Sequence, residues 1–80
     1  MNISEAVKLR IVELCRERHI TINKLSTMCG ITQSTLNNIM HRPESKPTVA
    51  TIKKICDGLE MNMSEFFISP IFNDLEQEIK

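Results

Sequence analysis

Eighty residues are enough for one domain with a small core, and leave a thin stability margin unless a partner adds to it. Hydrophobic residues make up 41% of the chain, with two glycines, three prolines and no Trp or Tyr, and its β-branched residues are scattered, so the composition favours helices over strands. The net charge is zero, but residues 1–54 hold nine Lys/Arg against four Asp/Glu and residues 57–80 hold one against six; the basic front suits a polyanion and the acidic tail does not, although two solvated surfaces of unlike sign would give the same balance.

In chain order, the first helix is expected over 4–18, with Ser4 as its cap and Glu5 at the positive end of its dipole. Val7, Ile11, Leu14 and Cys15 recur at helical spacing and form its apolar face. Lys8, Arg10, Glu13, Glu17 and Arg18 are assigned to a solvated surface. Thr21 is an N-cap for a short helix over 22–29, whose inner positions are Leu25 and Cys29, with Ile22 and Met28 in part. Gly30 stands where a helix ends in a left-handed residue, and Ile31 plugs the turn. Thr32 caps a third helix over 33–40, with Leu36 and Ile39 facing inward. Residues 41–47 form a loop with two prolines. Thr48 then caps a helix over 49–58, whose inner face is Val49, Ile52, Ile55 and Cys56, continued by Leu59. Asn62 with Glu65 reads as a capping box for a short fifth helix through Phe67. Ser69–Pro70 resembles one more helix start, with Ile71, Phe72, Leu75 and Ile79 along one face.

Several function classes fall away. Cys15, Cys29 and Cys56 are odd in number and widely spaced, form no CxxC pair and no zinc-type cluster, and read as buried reduced thiols. No metal or cofactor is expected. Residues 1–10 lack the apolar stretch of a signal peptide, and no apolar run approaches the roughly 20 residues of a membrane helix. A cytoplasmic protein is therefore expected. His19 and His41 have no evident nucleophile to serve, and a chain this short leaves little room for a closed pocket, so an enzyme is not expected. His41 reads as a surface or phosphate-contacting group.

The informative stretch is 21–40, two short helices around Gly30. Ser26 is small enough for the helices to approach closely. With Leu36 and Ile39 inward, Gln33, Ser34, Asn37 and Asn38 fall on the outer side, the pairs 33/37 and 34/38 one turn apart. Four uncharged hydrogen-bonding side chains are unusual for a plain solvated helix, which normally carries Glu and Lys. Asn and Gln can pair with an adenine edge in the major groove. The bland reading is that they only solubilise the surface.

Residues 7–67 resemble the Cro and phage-repressor type of helix-turn-helix, the xenobiotic-response-element family of regulators. The resemblance rests on Leu14, Arg16-Glu17-Arg18, Ile20, Thr21, Leu25, Gly30, Ile31, Gln33-Ser34-Thr35-Leu36, Ile39, Pro47-Thr48, Ile52, Ile55 and Leu59. It implies an all-α fold, a compact lambda-repressor-like bundle of about five short helices, with the DNA-binding domain over 1–68 and a C-terminal segment over 69–80. It also implies base contacts from Thr32, Gln33, Ser34, Asn37 and Asn38. Phosphate contacts would come from Thr21, Asn23 and Lys24, and from Arg42, Ser45, Lys46 and Thr48. Helix N-termini suit phosphate, and such contacts fix register without reading sequence. Two residues depart from the family pattern. Ile22 replaces a polar residue that commonly touches phosphate, and Ser26 replaces an alanine and adds a hydroxyl that needs a partner.

The expected function is a sequence-specific transcriptional regulator, a repressor, bound as a homodimer to an inverted-repeat operator in double-stranded DNA. Residues 69–80 are read in two ways, as part of the dimer interface or as a segment packed on the chain's own core. The rival function is a protein-interaction module, such as an antitoxin component or adaptor, built on the same fold and using a protein partner.

Overall fold

In the computed structural model, which describes residues 1–79, the order of elements is α1 Ile3–Glu17, α2 Ile22–Cys29, α3 Gln33–His41, α4 Val49–Gly58, α5 Met63–Phe66 and a single 3₁₀ turn, Pro70–Phe72. There is no strand among the described residues. The all-helical bundle of five short helices expected from the sequence is the fold observed.

Each helix begins the same way. The N-cap side chain accepts a hydrogen bond from the backbone amide three residues on, in Asn2, Thr21, Thr32, Thr48 and Asn62. This satisfies one of the amides that a helix start leaves without a partner. Asn62 and Glu65 form the expected capping box. At α1 the cap is Asn2, not Ser4. Glu5 N–H donates to Asn2 Oδ1 at 2.8 Å and Asn2 N–H to Glu5 Oε1 at 3.0 Å. Asn2 takes the position because only from there does Glu5 stand at the third helical residue and close the box.

Three helices also end alike. Ile20, Ile31 and Met61 donate their amides back to the carbonyls of Cys15, Ser26 and Cys56. Each is partly buried against the core. Before each plug the chain turns left-handed, at His19 (φ 56°), Gly30 (φ 69°) and Glu60 (φ 55°). Gly30 adopts this conformation without strain, whereas His19 and Glu60 carry a Cβ into it.

The core is built from Val7, Ile11, Leu14 and Cys15 of α1, Leu25, Leu36, then Ile52, Ile55 and Cys56 of α4, with Leu59 and Phe66. α2 packs on both α3 and α4. A Cβ added at Gly58 would lie 2.6 Å from Cys29 Sγ and 2.9 Å from the Met28 carbonyl oxygen, so α2 and α4 meet there at a distance that only glycine permits. The three cysteines are free thiols.

Three further sequence expectations are corrected. Arg10 is buried, 7% exposed, not part of the solvated surface. Its Nε donates to the Phe66 carbonyl at 2.6 Å, Nη2 to the Glu65 carbonyl at 3.0 Å, and Nη1 pairs with Glu13 at 2.5 Å. Val49 is 71% exposed, because the first turn of α4 projects beyond the core although its spacing matches Ile52 and Cys56. The tail is not a longer helix. After one 3₁₀ turn it runs irregularly along α1, and the Glu76 amide donates to the Met1 carbonyl at 3.1 Å. Phe72 packs against Phe66 and Phe67 at centroid distances of 6.4 and 5.0 Å. Phe72 and the Glu76 amide thus contact the chain itself, while Ile79 stands 86% exposed.

Candidate nucleic-acid interface

α3 is held by one deeply buried residue, Leu36, with Ile39 and Met40 half-buried beside it. Everything else on its outer side faces water. Thr32, Gln33, Ser34 and Asn38 are exposed and Asn37 is half-buried. Gln33, Ser34 and Asn38 make no side-chain hydrogen bond among the described residues, so their donors and acceptors are open to a ligand. Thr32 differs. Its hydroxyl accepts from the Thr35 amide at 3.2 Å and donates to Thr35 Oγ1 at 2.7 Å, which leaves it one lone pair and no proton to offer.

On the approach to α3, Thr21, Asn23 and Lys24 are all exposed at the start of α2. Thr21 Oγ1 accepts from the Lys24 amide at 3.0 Å and keeps its hydroxyl proton. Asn23 reaches across to α3, where Asn37 Nδ2 donates to Asn23 Oδ1 at 3.4 Å. The Asn23 carbonyl in turn accepts from Ser26 Oγ at 2.6 Å and Thr27 Oγ1 at 3.3 Å. The Ser26 hydroxyl thus has the partner its burial demands. Ile22, where a polar residue was expected, is half-buried against the core instead.

Beyond α3, Arg42, Lys46 and Thr48 are exposed and Ser45 half-buried. The base of their loop is fixed by one acceptor. The Arg42 carbonyl takes Lys8 Nζ at 2.9 Å and the Ser45 amide at 3.1 Å. Sequence reasoning placed Lys8 on a solvated surface and missed this tether; a contact across 34 residues leaves no mark in helical periodicity. A cleft of about 440 Å³ lies between this loop and the start of α1, with Lys8, His41, Arg42 and Lys46 on its wall. The basic side chains thus stand on the two segments that flank the polar helix. The acidic residues of the tail, Asp74, Glu76 and Glu78, are exposed, and the Glu76 amide donates to the Met1 carbonyl just ahead of α1.

A short polar helix carried on a fixed turn, with basic and polar side chains on either side, is the arrangement of a helix-turn-helix unit. The family model of the Cro/C1-type HTH DNA-binding domain matches residues 10–70. The chain belongs to that family. The resemblance drawn from residues 30–39 and the helices around them therefore holds.

Two curated members of this helix-turn-helix group show the extent of the likeness. The chain is 32% identical over 69 residues to the HTH-type transcriptional regulator SutR of Escherichia coli (strain K12), covering 86% of this chain but 38% of SutR. It is 33% identical over 57 residues to the SPbeta prophage-derived HTH-type transcriptional regulator YopS of Bacillus subtilis (strain 168), covering 71% of this chain and 77% of YopS. The chain therefore spans well under half the length of SutR. Among solved structures, the prophage Lp1 protein 11 superposes with a TM-score of 0.79 at 33% identity, over 94% of this chain and all of that one. The match to the Cro/C1-type HTH DNA-binding domain and to two HTH-type transcriptional regulators puts the chain in a family of DNA-binding transcriptional regulators. No helix among the described residues is long and apolar enough to cross a membrane.

Proposed function

We propose that the protein is a cytoplasmic, sequence-specific transcriptional repressor that inserts α3 into the major groove of double-stranded DNA. The observation that carries the reading is the outer side of α3, where Gln33, Ser34, Asn37 and Asn38 present uncharged donors and acceptors. Such groups match base edges, which offer the same. Thr32 contributes at the helix start, through its remaining lone pair. Thr21, Asn23 and Lys24 on one side, and Arg42, Ser45, Lys46 and Thr48 on the other, would hold phosphates and set the register.

The protein acts as a homodimer on an inverted repeat. Support comes from the apolar surface around α5 and the tail, where Phe67 is 39% and Ile68 73% exposed. Such a surface on a chain this small fits a second copy.

Selection of bound sequences from a random DNA pool at two salt concentrations tests the reading. An enriched inverted repeat, held more weakly as salt rises, is the expected result. No enrichment at low salt overturns it and turns attention to a protein partner.

A further inference from the structure

We infer that Asn23 is a positioning residue that orients the Asn37 amide for adenine, so that the base pair under Asn37 is read by a pair of asparagines rather than by one. The inference rests on the proposed docking of α3 and adds to it the identity of one base and the residue that sets it.

An asparagine alone on a helix surface turns freely about its terminal torsion and presents its donor and acceptor ends about equally well. Asn37 does not stand alone. One of its Nδ2 protons goes to Asn23 Oδ1 at 3.4 Å. With Asn23 Oδ1 as the acceptor, the nitrogen end of the Asn37 amide faces α2 and its oxygen end is left free. The second Nδ2 proton and the Oδ1 acceptor remain, side by side. Together they match adenine in the major groove, whose N7 accepts and whose N6 amino group donates. Guanine presents two acceptors there, so the fixed amide would set its oxygen against O6.

Asn23 is itself held in place. Its carbonyl is gripped by the hydroxyls of Ser26 and Thr27, and the Ser26 side chain is buried, 1% exposed. The backbone at Asn23 is therefore fixed on the α2 side before its side chain reaches α3. The amide protons of Asn23 make no bond among the described residues. Residue 22, the neighbouring position at which a polar side chain was expected, is an isoleucine turned to the core and offers α3 no hydrogen bond.

The test is site selection followed by binding of the full chain to the selected site and its single base-pair variants, for the wild type and for Asn37→Ala, Asn23→Ala, Asn23→Asp and the double alanine variant. The wild type should prefer A·T at one pair in each half-site by roughly 5- to 100-fold. Asn37→Ala and Asn23→Ala should both lose most of that preference at the same pair, and the double variant should lose no more than Asn37→Ala alone. Asn23→Asp retains the acceptor. It should keep the preference while binding all sites more weakly, since its charge repels the backbone. If Asn23→Ala instead weakens every site by one factor, lowers the salt slope and leaves the A·T preference intact, Asn23 is a phosphate contact only and the inference is overturned. An unchanged preference in Asn37→Ala overturns it too. A wild type that enriches no sequence overturns the repressor reading and this inference together, which is a distinct result.

Discussion

Arg10 and Phe66 lie 56 positions apart in the chain, and the guanidinium Nε of the first donates to the main-chain carbonyl of the second at 2.6 Å. With the Glu65 carbonyl and the Glu13 carboxylate also taken, the guanidinium fastens α5 to α1. Replacing Arg10 with Met removes the fork and leaves the Phe66 carbonyl without a donor, while the Glu65 carbonyl keeps the Ile68 amide at 3.1 Å. The expected loss is about 2–3 kcal/mol, since hydrogen bonds from a charged group are worth more than neutral ones. Arg10→Lys should recover only part, because an ammonium cannot span both carbonyls. Urea denaturation followed by circular dichroism at 222 nm reads this in a chain without tryptophan.

At Gly58 the backbones of α2 and α4 meet. An alanine there gains helix propensity, but its Cβ would fall 2.9 Å from the Met28 carbonyl oxygen and 3.0 Å from Cys29 Cα, atoms that cannot swing aside. Overpacking should outweigh propensity, for a net loss of about 1–3 kcal/mol. A midpoint equal to or above the wild type's would show that the two helices separate easily.

The left-handed helix ends predict opposite signs. Gly30→Ala meets no atom within 4 Å and should cost about 1 kcal/mol through the backbone alone. His19→Gly and Glu60→Gly should each stabilise the fold by about 0.5 kcal/mol, the relief of strain exceeding the added freedom of the unfolded chain. Thermal melts of the three variants check the ordering.

The cysteines give an alkaline limit. Burial pushes the Cys29 thiol up to about 11, with the neighbouring Cys15 and Cys56 thiols adding to the rise, and burial raises Cys15 and Cys56 as well. A folded-state value above the unfolded one means that the folded chain holds its proton longer. The contribution is complete below about 9 and is lost as pH rises through about 11. In reductant, stability should fall over that window, and Cys29→Ala should flatten the fall. The thiols should react slowly with alkylating reagents at neutral pH.

Lys46 is expected to act on DNA without reading it. Lys46→Ala should weaken all sites alike and lower the slope of log affinity against log salt by about one. A change confined to one base pair would move Lys46 from the phosphate set to the base set.

Most of the fold was legible because its punctuation is local. Thr21, Thr32, Thr48 and the Asn62–Glu65 pair are signals contained within four residues, and Gly30 within its own turn. What escaped is what depends on distant chain. Arg10 lies three residues after Val7 and four before Leu14, on the apolar side of α1; that spacing was the available sign of its burial, but its charge argued for water, and the carbonyls that satisfy it are supplied from α5. The tail's apolar residues have helical spacing, yet the packing of Phe72 on Phe66 and Phe67 fixes an irregular path. Of the candidate interface, the polar outer side of α3 followed from Leu36 and Ile39. The Lys8 tether and the Asn23–Asn37 contact did not, since neither is periodic.

The bond from the Glu76 amide to the Met1 carbonyl makes the fold a nearly closed ring. A short linker could join residues 1 and 76 without disturbing the core, and new ends could be opened in the proline loop over 43–47. In such a circular permutant the polar helix would be followed by a chain end rather than by α4. The sequential order of the helices and their arrangement in space are thus separable properties of this domain.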